Sequence, residues 1–206
     1  GNRAYDVLFL PRDGAGAYDL VWVHGDGPLV YNPGTPRGYY GGEWDNLCTR
    51  GCGPDAGIVT SEGSVLIGAP AGPTGVDRLP AGGRWEYDVA GNGYGTTALL
   101  QATLPALRGP RGHGAVFAGT RTALRSDDDG RPGSWAALGE PGGEIVALGE
   151  VPPSAALPDG RLLAGMYNGV SYSDDGGRTW PRARGPTGSP GTSPTPSRSS
   201  PSRATP

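Results

Sequence analysis

The sequence predicts an all-β fold of many short strands, and three observations support this prediction. Glycine and proline supply 39 and 22 of the 206 residues, a content that indicates frequent turns in a folded chain. Five tryptophans and nine tyrosines provide bulky core material, and a net charge of only −3 argues against charge-driven disorder. No long stretch free of glycine and proline has the 3.6-residue apolar period of an amphipathic helix.

Four short apolar segments recur along the chain, and each is expected to form a strand that ends near a glycine. They are residues 21–25, 65–69, 116–120 and 162–166. A turn-rich stretch and then a tryptophan follow each one, at Trp44, Trp85, Trp135 and Trp180, with spacings of 41, 50 and 45 residues. A period of about 40–50 residues is typical of four-stranded propeller blades. We therefore expect a β-propeller of about four blades over residues 1–184, as an open arc or part of a longer ring.

The last two units share a polar turn motif. In the final unit it consists of Ser173, Asp175, Gly177, Thr179 and Trp180. In the preceding unit it consists of Ser126, Asp128, Gly130, Ser134 and Trp135, with two residues inserted before Ser134. The motif resembles the Asp-box, or bacterial neuraminidase repeat, of β-propellers such as sialidase-like, sortilin-like and photosystem assembly factor-like proteins.

The resemblance implies a hairpin turn between two blade strands and a structural role for its acids, away from any active centre. Serine and aspartate can bond the backbone of such a turn. A glycine such as Gly177 accepts a positive φ, and Trp180 can pack between layers. We expect Asp175 to bond turn backbone and Trp180 to be mostly buried.

Composition excludes several kinds of chemistry. All 17 basic residues are arginine, so neither a Schiff-base nor a P-loop lysine is available. The arginines are scattered among 20 acids, unlike the basic stripe of a nucleic-acid-binding protein. No apolar run approaches the ~18 residues of a membrane span. We expect no cofactor or metal, because Asp127, Asp128 and Asp129 lack the closing glutamate of an EF-hand and are interpreted as solvated turn acids.

A candidate ligand surface lies in the longest insertion of the repeat, residues 31–55. It contains Tyr39, Tyr40 and Trp44 beside acidic residues, with Trp22 as a further aromatic. Aromatic rings beside carboxylates suit a sugar, whose apolar ring face stacks while its hydroxyls bond the acids. The alternative is that Trp44 is only the blade tryptophan and that the tyrosines cover a hydrophobic edge.

The same insertion contains the only cysteines, Cys48 and Cys52. In an exported protein a small disulfide loop is the expected state, and two reduced thiols are the alternative. Residues 185–206 contain six prolines, six serines, four threonines and three glycines, and we expect a disordered tail or linker there. A frayed end or a misread frame is the other interpretation. The tail, the cysteines and the resemblance favour an extracellular or cell-surface location.

Two classes of function fit these observations. The first is a noncatalytic propeller that presents a binding or scaffold surface to glycans or proteins. The second is a glycoside hydrolase, sialidase-like or xyloglucanase-like, or a fragment of one. The chain lacks the Arg-Ile-Pro motif of sialidases. A xyloglucanase-like carboxylate pair comes from two tandem propellers, whereas this chain contains material for only one partial propeller. No catalytic residue is therefore assigned, and the binding class is preferred.

Overall fold

The computed structural model describes residues 56–68, 75–81, 84–90 and 95–183 in full. It also describes the backbone of strands at 4–11, 18–24, 27–31 and 44–46, which include Trp22 and Trp44. Tyr39, Tyr40, Cys48, Cys52 and the segment 184–206 lie outside the described residues. What the sequence predicts for those positions stays a prediction.

The strands form four antiparallel sheets that follow one another along the chain, and we number these sheets as blades. Blade 1 consists of β1 (Ala4–Pro11), β2 (Tyr18–His24), β3 (Gly27–Tyr31) and β4 (Trp44–Asn46). Blade 2 consists of β5 (Ala56–Val59), β6 (Val65–Gly68) and β7 (Val76–Leu79). Blade 3 consists of β8 (Ala98–Gln101), β9 (Val116–Gly119), β10 (Ala123–Ser126) and β11 (Trp135–Ala137). Blade 4 consists of β12 (Ile145–Val151), β13 (Arg161–Met166) and β14 (Gly169–Ser173).

Blades 1 and 3 have a fourth strand. At the same position, the described residues of blades 2 and 4 form only one antiparallel β-bridge each, that is, a single pair of backbone-bonded residues. The bridges join Arg78 to Glu86 and Ser171 to Arg182. The four recurring tryptophans all stand at this position, as the first residue of β4 and β11 and just before the bridges of the other two blades. The four apolar segments form the second strands β2, β6, β9 and β13. Apart from one 3₁₀ turn at Pro105–Leu107, the described residues contain no helix, so the predicted all-β class is confirmed.

The blades are arranged as an open arc. The first strands of successive blades contact one another in series, β1 with β5, β5 with β8, and β8 with β12. Within the described ranges no comparable contact joins β12 back to β1. The first strands therefore line the inner side of the arc, as in a propeller.

In the part of the chain whose side chains are described, the core lies between the blades, because the sheets of blades 2, 3 and 4 bury their faces against one another. The core between blades 2 and 3 contains Leu66, Val76, Val89, Val116, Ala118 and Leu124. The core between blades 3 and 4 contains Ala98, Ala102, Leu104, Leu107, Ala115, Phe117, Ala123, Ile145, Leu162, Ala164 and Trp180. Strands β6 and β9 are consequently buried on both faces, whereas burial alternates along β13.

A glycine at the end of the second strand sets how closely the next blade approaches. A Cβ atom on Gly68 would lie 2.7 Å from Thr96 of blade 3, and one on Gly119 would lie 2.7 Å from Ile145 of blade 4. Real Cβ atoms do not approach other atoms this closely, so glycine is required by space rather than by backbone conformation. Gly165 has the same place in β13, but its nearest neighbour is Ala147 of its own blade at 3.3 Å.

Candidate functional site

In blades 2 to 4, the described turns after the first and third strands lie at one end of the blades, which we call the box face. Its described residues are 60–64, 102–115, 127–134, 152–160 and 174–180. The turns after the second strands, such as the one that contains Arg121, lie at the opposite end. The polar clusters described below all lie on the box face.

The blade 4 box turn, residues 173–180, is held together by its own side chains. Ser173 Oγ accepts a hydrogen bond from the Gly177 N–H at 2.7 Å and lies 2.8 Å from Asp175 Oδ1. Asp175 Oδ1 also accepts from the N–H groups of Arg178 and Thr179 at 3.0 and 2.9 Å. The Thr179 hydroxyl donates to Asp175 Oδ2 at 2.6 Å. These contacts bind one carboxylate to the turn that carries it.

The same contacts fix the charge of Asp175. Partial burial alone would raise the pKa of this carboxyl. The hydrogen bonds from Thr179, from Ser173 and from the Arg178 N–H outweigh burial and lower the pKa from 3.8 to about 2. The side chain is therefore ionised at any physiological pH and serves as an acceptor within the turn.

The blade 3 box turn, residues 126–135, uses a different arrangement. Ser126 Oγ accepts from the Gly130 N–H at 3.0 Å and lies 2.6 Å from Ser134 Oγ. Asp128 is the equivalent of Asp175, but its Oδ1 lies 3.0 Å from Arg111 Nη1. Within the described residues, its carboxylate accepts no hydrogen bond from the turn backbone. The inserted residues before Ser134 lengthen the turn, so the aspartate no longer faces the N–H groups that follow it.

The expectation that all three acids of this turn are solvated is wrong for Asp129. Its side chain is 1% exposed and pairs with Arg78 of blade 2, whose side chain is 4% exposed, at 2.6 Å. Arg78 Nε also donates to the Asp129 carbonyl at 2.9 Å, and Ser64 Oγ donates to the carboxylate at 2.6 Å. Arg78 Nη1 reaches a second carboxylate, Glu86, at 2.9 Å. A buried ion pair thus joins the two blades.

A cleft opens on the box face at the next junction, between blades 3 and 4. Its volume is about 310 Å³, and Leu104, Leu107 and Leu162 contribute apolar surface to it. Its charged lining consists of Arg125, Arg161, Arg178, Asp159, Asp174 and Asp175. Three of these side chains come from the box turn of blade 4, so this hydrogen-bonded turn forms one wall.

Arg161 and Asp174 form a bidentate ion pair in this cleft. Arg161 Nε and Nη2 donate to the two carboxylate oxygens of Asp174 at 2.6 and 2.9 Å. The guanidinium carbon also lies 3.9 Å from the centre of the Tyr172 ring. The hydrogen bond to Asp174 raises the pKa of Arg161 above its usual value. Bidentate pairing and stacking hold the planar group in one orientation.

A second polar cluster on the box face was not foreseen from the sequence. His113 Nδ1 lies 3.2 Å from Ser61 Oγ, while His113 Nε2 lies 3.7 Å from Glu62. The Gln101 amide also donates to Ser61 Oγ at 3.0 Å. The separation from Glu62 exceeds a hydrogen bond, and the histidine is 45% exposed. The cluster therefore lacks the oriented acid–histidine contact that activates a serine.

The described part of the chain contains no group of three or more side chains that could hold a metal ion. None of its helical segments is long and apolar enough to cross a membrane. The predicted ligand surface, formed by the side chains of Trp22 and Trp44 with Tyr39 and Tyr40, lies outside the described residues.

The sheet order, the open arc and the box-face turns define a β-propeller. No family model matches the chain, and no curated protein is significantly similar to it in sequence. Among solved structures, it is similar to the extracellular domain described as a one-component system from B. thetaiotaomicron, with 16% identity and a TM-score of 0.56. It is also similar to virginiamycin B lyase from Staphylococcus aureus, solved as a catalytically inactive variant with quinupristin, with 15% identity and a TM-score of 0.55.

The two alignments cover most of this chain but a smaller part of each solved chain. The alignments cover 88% and 91% of this chain but 22% and 61% of the two solved chains. The chain thus spans only part of each neighbour, which agrees with an incomplete ring. At such identities the comparison establishes the fold alone.

Proposed function

We propose that this chain is an extracellular, noncatalytic propeller that binds a glycan in the box-face cleft between blades 3 and 4. The observation that carries the proposal is the Arg161–Asp174 pair, which is bidentate and stacked on Tyr172. The pair leaves N–H donors and carboxylate lone pairs unused, side by side and in a fixed orientation. Adjacent hydroxyls of a sugar need such neighbouring donors and acceptors.

The cleft suits a sugar in two further respects. Its apolar surface from Leu104, Leu107 and Leu162 offers a contact for a sugar ring, and its polar groups are few and convergent, as in ligand sites generally. The wall formed by the box turn is held by its own hydrogen bonds, so binding sacrifices little conformational entropy.

Two of the three carboxylates of the cleft, Asp174 and Asp175, favour binding over hydrolysis. Glycoside hydrolysis generally needs one carboxyl group that is protonated and able to donate. Asp175 is held ionised by its turn, with its pKa lowered to about 2. Asp174 is engaged through both oxygens by Arg161. Neither carboxyl is suited to act as a general acid.

The proposed location rests on the sequence and one neighbour. The solved one-component system is described as an extracellular domain, and the Pro/Ser/Thr-rich segment 185–206 is of a type common in extracellular stalks. The proposed partner is a glycan, with a protein ligand on the same face as the alternative.

A glycan-binding array combined with a hydrolysis screen on sialosides and β-glucans tests the proposal, using the full chain. Asp174→Ala should weaken binding by about tenfold or more, because it removes an acceptor and releases Arg161. Arg121→Gln, an exposed arginine at the opposite end of the blades, should bind as the wild type does. Turnover that disappears in Asp159→Asn would contradict the noncatalytic assignment. Binding lost only in Trp44→Ala would move the site to blade 1.

A further inference from the structure

The two blade junctions described in full carry an arginine at the same place. Arg78 pairs with Leu66 across β7 and β6, and Arg125 pairs with Phe117 across β10 and β9. Both arginines point to the box turn of the following blade: Arg78 bonds Asp129, and Arg125 Nη1 lies 3.1 Å from where a Cβ of Gly176 would be. The junctions can therefore be compared position by position.

The carboxylate that completes the first junction is absent from the second. Asp129 and Gly176 occupy the same position, three residues after the serine of each box turn. Arg78 is paired with two carboxylates, of Glu86 and Asp129. Arg125 is paired with one, Asp127, through its Nε and Nη2. Within the described residues, Arg125 Nη1 has no hydrogen-bond partner.

The space left by the absent carboxylate is part of the cleft. Gly176 and Arg125 both line it. Both Gly176 and Asp129 have a positive φ, of 74° and 53° respectively. The fold thus repeats the geometry of an internal arginine–carboxylate pair but leaves one partner to be supplied from outside.

We propose that the cleft binds the carboxylate of an acidic glycan, with Arg125 Nη1 as donor at the place that Asp129 fills in the preceding junction. This inference rests on the proposed function and specifies its ligand class. The carboxylates near this position are held by the chain itself: Asp174 pairs with Arg161, Asp127 pairs with Arg125 through Nε and Nη2, and Asp175 bonds its own loop. Arg178 and Asp159 are exposed and compensate each other in net charge.

Matched oligosaccharides test the ligand class. Oligogalacturonate and its fully methyl-esterified form have the same sugar units and differ in charge, so calorimetric titration of the full chain with each isolates the carboxylate. The acid should bind at least about tenfold more tightly than the ester, and Arg125→Gln should remove the difference. Arg121→Gln should retain it. Equal binding of acid and ester overturns this inference and leaves the glycan proposal intact, whereas no binding of either by the wild type counts against both.

A second experiment does not depend on the identity of the glycan. Gly176→Asp supplies the absent carboxylate from the chain itself, at a backbone conformation that Asp129 already tolerates, and the ends of the Arg125 and Leu107 side chains, 3.1 and 3.2 Å from its Cβ, have to shift slightly. It should abolish acid binding and raise the thermal unfolding midpoint by about 2–4 °C. Gly176→Asn, which has the same shape without the charge, should not give the rise. A rise that persists in the Arg125→Gln background, or acid binding that survives Gly176→Asp, would overturn the inference.

Discussion

At the scale of single residues, the most consequential contact is the buried ion pair between Arg78 and Asp129. Both side chains are almost completely buried, at 4% and 1% exposure. Removal of Arg78 leaves the Asp129 charge buried without its ionic partner, which costs far more than the pair contributes. The stability of the junction between blades 2 and 3 therefore depends strongly on Arg78.

Arg78→Met should accordingly destabilise the protein by about 3–5 kcal/mol. Arg125→Met, at the equivalent position but 20% exposed and paired with the exposed Asp127, should cost less than about 1 kcal/mol. Denaturant unfolding of the two variants measures both values. Equal losses would contradict the distinction between a buried and a solvated pair.

The lowered pKa of Asp175 predicts how the stability of the fold responds to acid. Its pKa is depressed from 3.8 to about 2 in the folded state, so the unfolded chain takes up the proton first as the pH falls. The stabilisation is complete above pH 3.8 and is lost as the pH falls towards 2. Asp175→Asn should therefore flatten the pH dependence of the unfolding free energy in that window, as followed by urea titrations. Asp159→Asn serves as the control, and an identical flattening in both would refute the assignment.

At the scale of elements, the two box tryptophans differ in burial although their local bonds match. Trp180 Nε1 donates to the Gly177 carbonyl, and Trp135 Nε1 donates to the Gly130 carbonyl, at 2.8 and 3.0 Å. Trp180 is 9% exposed and belongs to the core between blades 3 and 4, whereas Trp135 is half-buried beside its core. Trp180→Ala should cost about 3–5 kcal/mol, and Trp135→Ala should cost clearly less in the same denaturation assay.

The second-strand glycines give a matched test of blade spacing. Gly119→Ala places a methyl group against Ile145 and Ala98, and such overpacking should cost about 1–3 kcal/mol. Gly165→Ala meets only its own blade, so its cost should stay below about 1 kcal/mol. Thermal unfolding of both variants decides the matter. A large loss in Gly165→Ala would mean that its outer face is covered.

The strands could be predicted from the sequence where the repeat depends on residues that are close together in the chain. The apolar segments and the tryptophans gave the second strands and the positions of the fourth strands, because alternating burial and turn residues act over short distances. The ion pair of Arg78 and Asp129 could not be foreseen, since its members are 51 residues apart. Asp129 stands in a run of three aspartates whose burial depends on the neighbouring blade. The cleft could not be predicted either, because it depends on a contact between blades. Gly176 faces Arg125 of blade 3, at the position where the blade 3 box turn has Asp129.

At the scale of the whole molecule, the blades form a linear series in which each contacts its sequence neighbours. The buried clusters described here join blade 2 to blade 3 and blade 3 to blade 4. Stability of such arrays is approximately a sum of blade and junction contributions. A variant at one junction should therefore weaken that junction and leave the distant one largely unchanged.

The composition of the chain predicts where its folded part ends. Residues 185–206 have no aromatic side chain and no aliphatic one beyond Ala204, so they cannot bury enough apolar surface to offset the entropy of ordering. Limited proteolysis should trim this segment and leave a resistant product that ends near residue 184, identified by mass spectrometry. Resistance of the segment, or a first cut within blades 3 and 4, would contradict this division.

The paired roles of glycine and tryptophan also determine the curvature of the arc. On the inner side, Gly119 lets the neighbouring blade approach to contact distance, while the outer gap between blades 3 and 4 is filled by the large indole of Trp180. At this junction the two blades are close together where a side chain is missing and farther apart where the indole is inserted. The resulting taper sets the angle between blades 3 and 4.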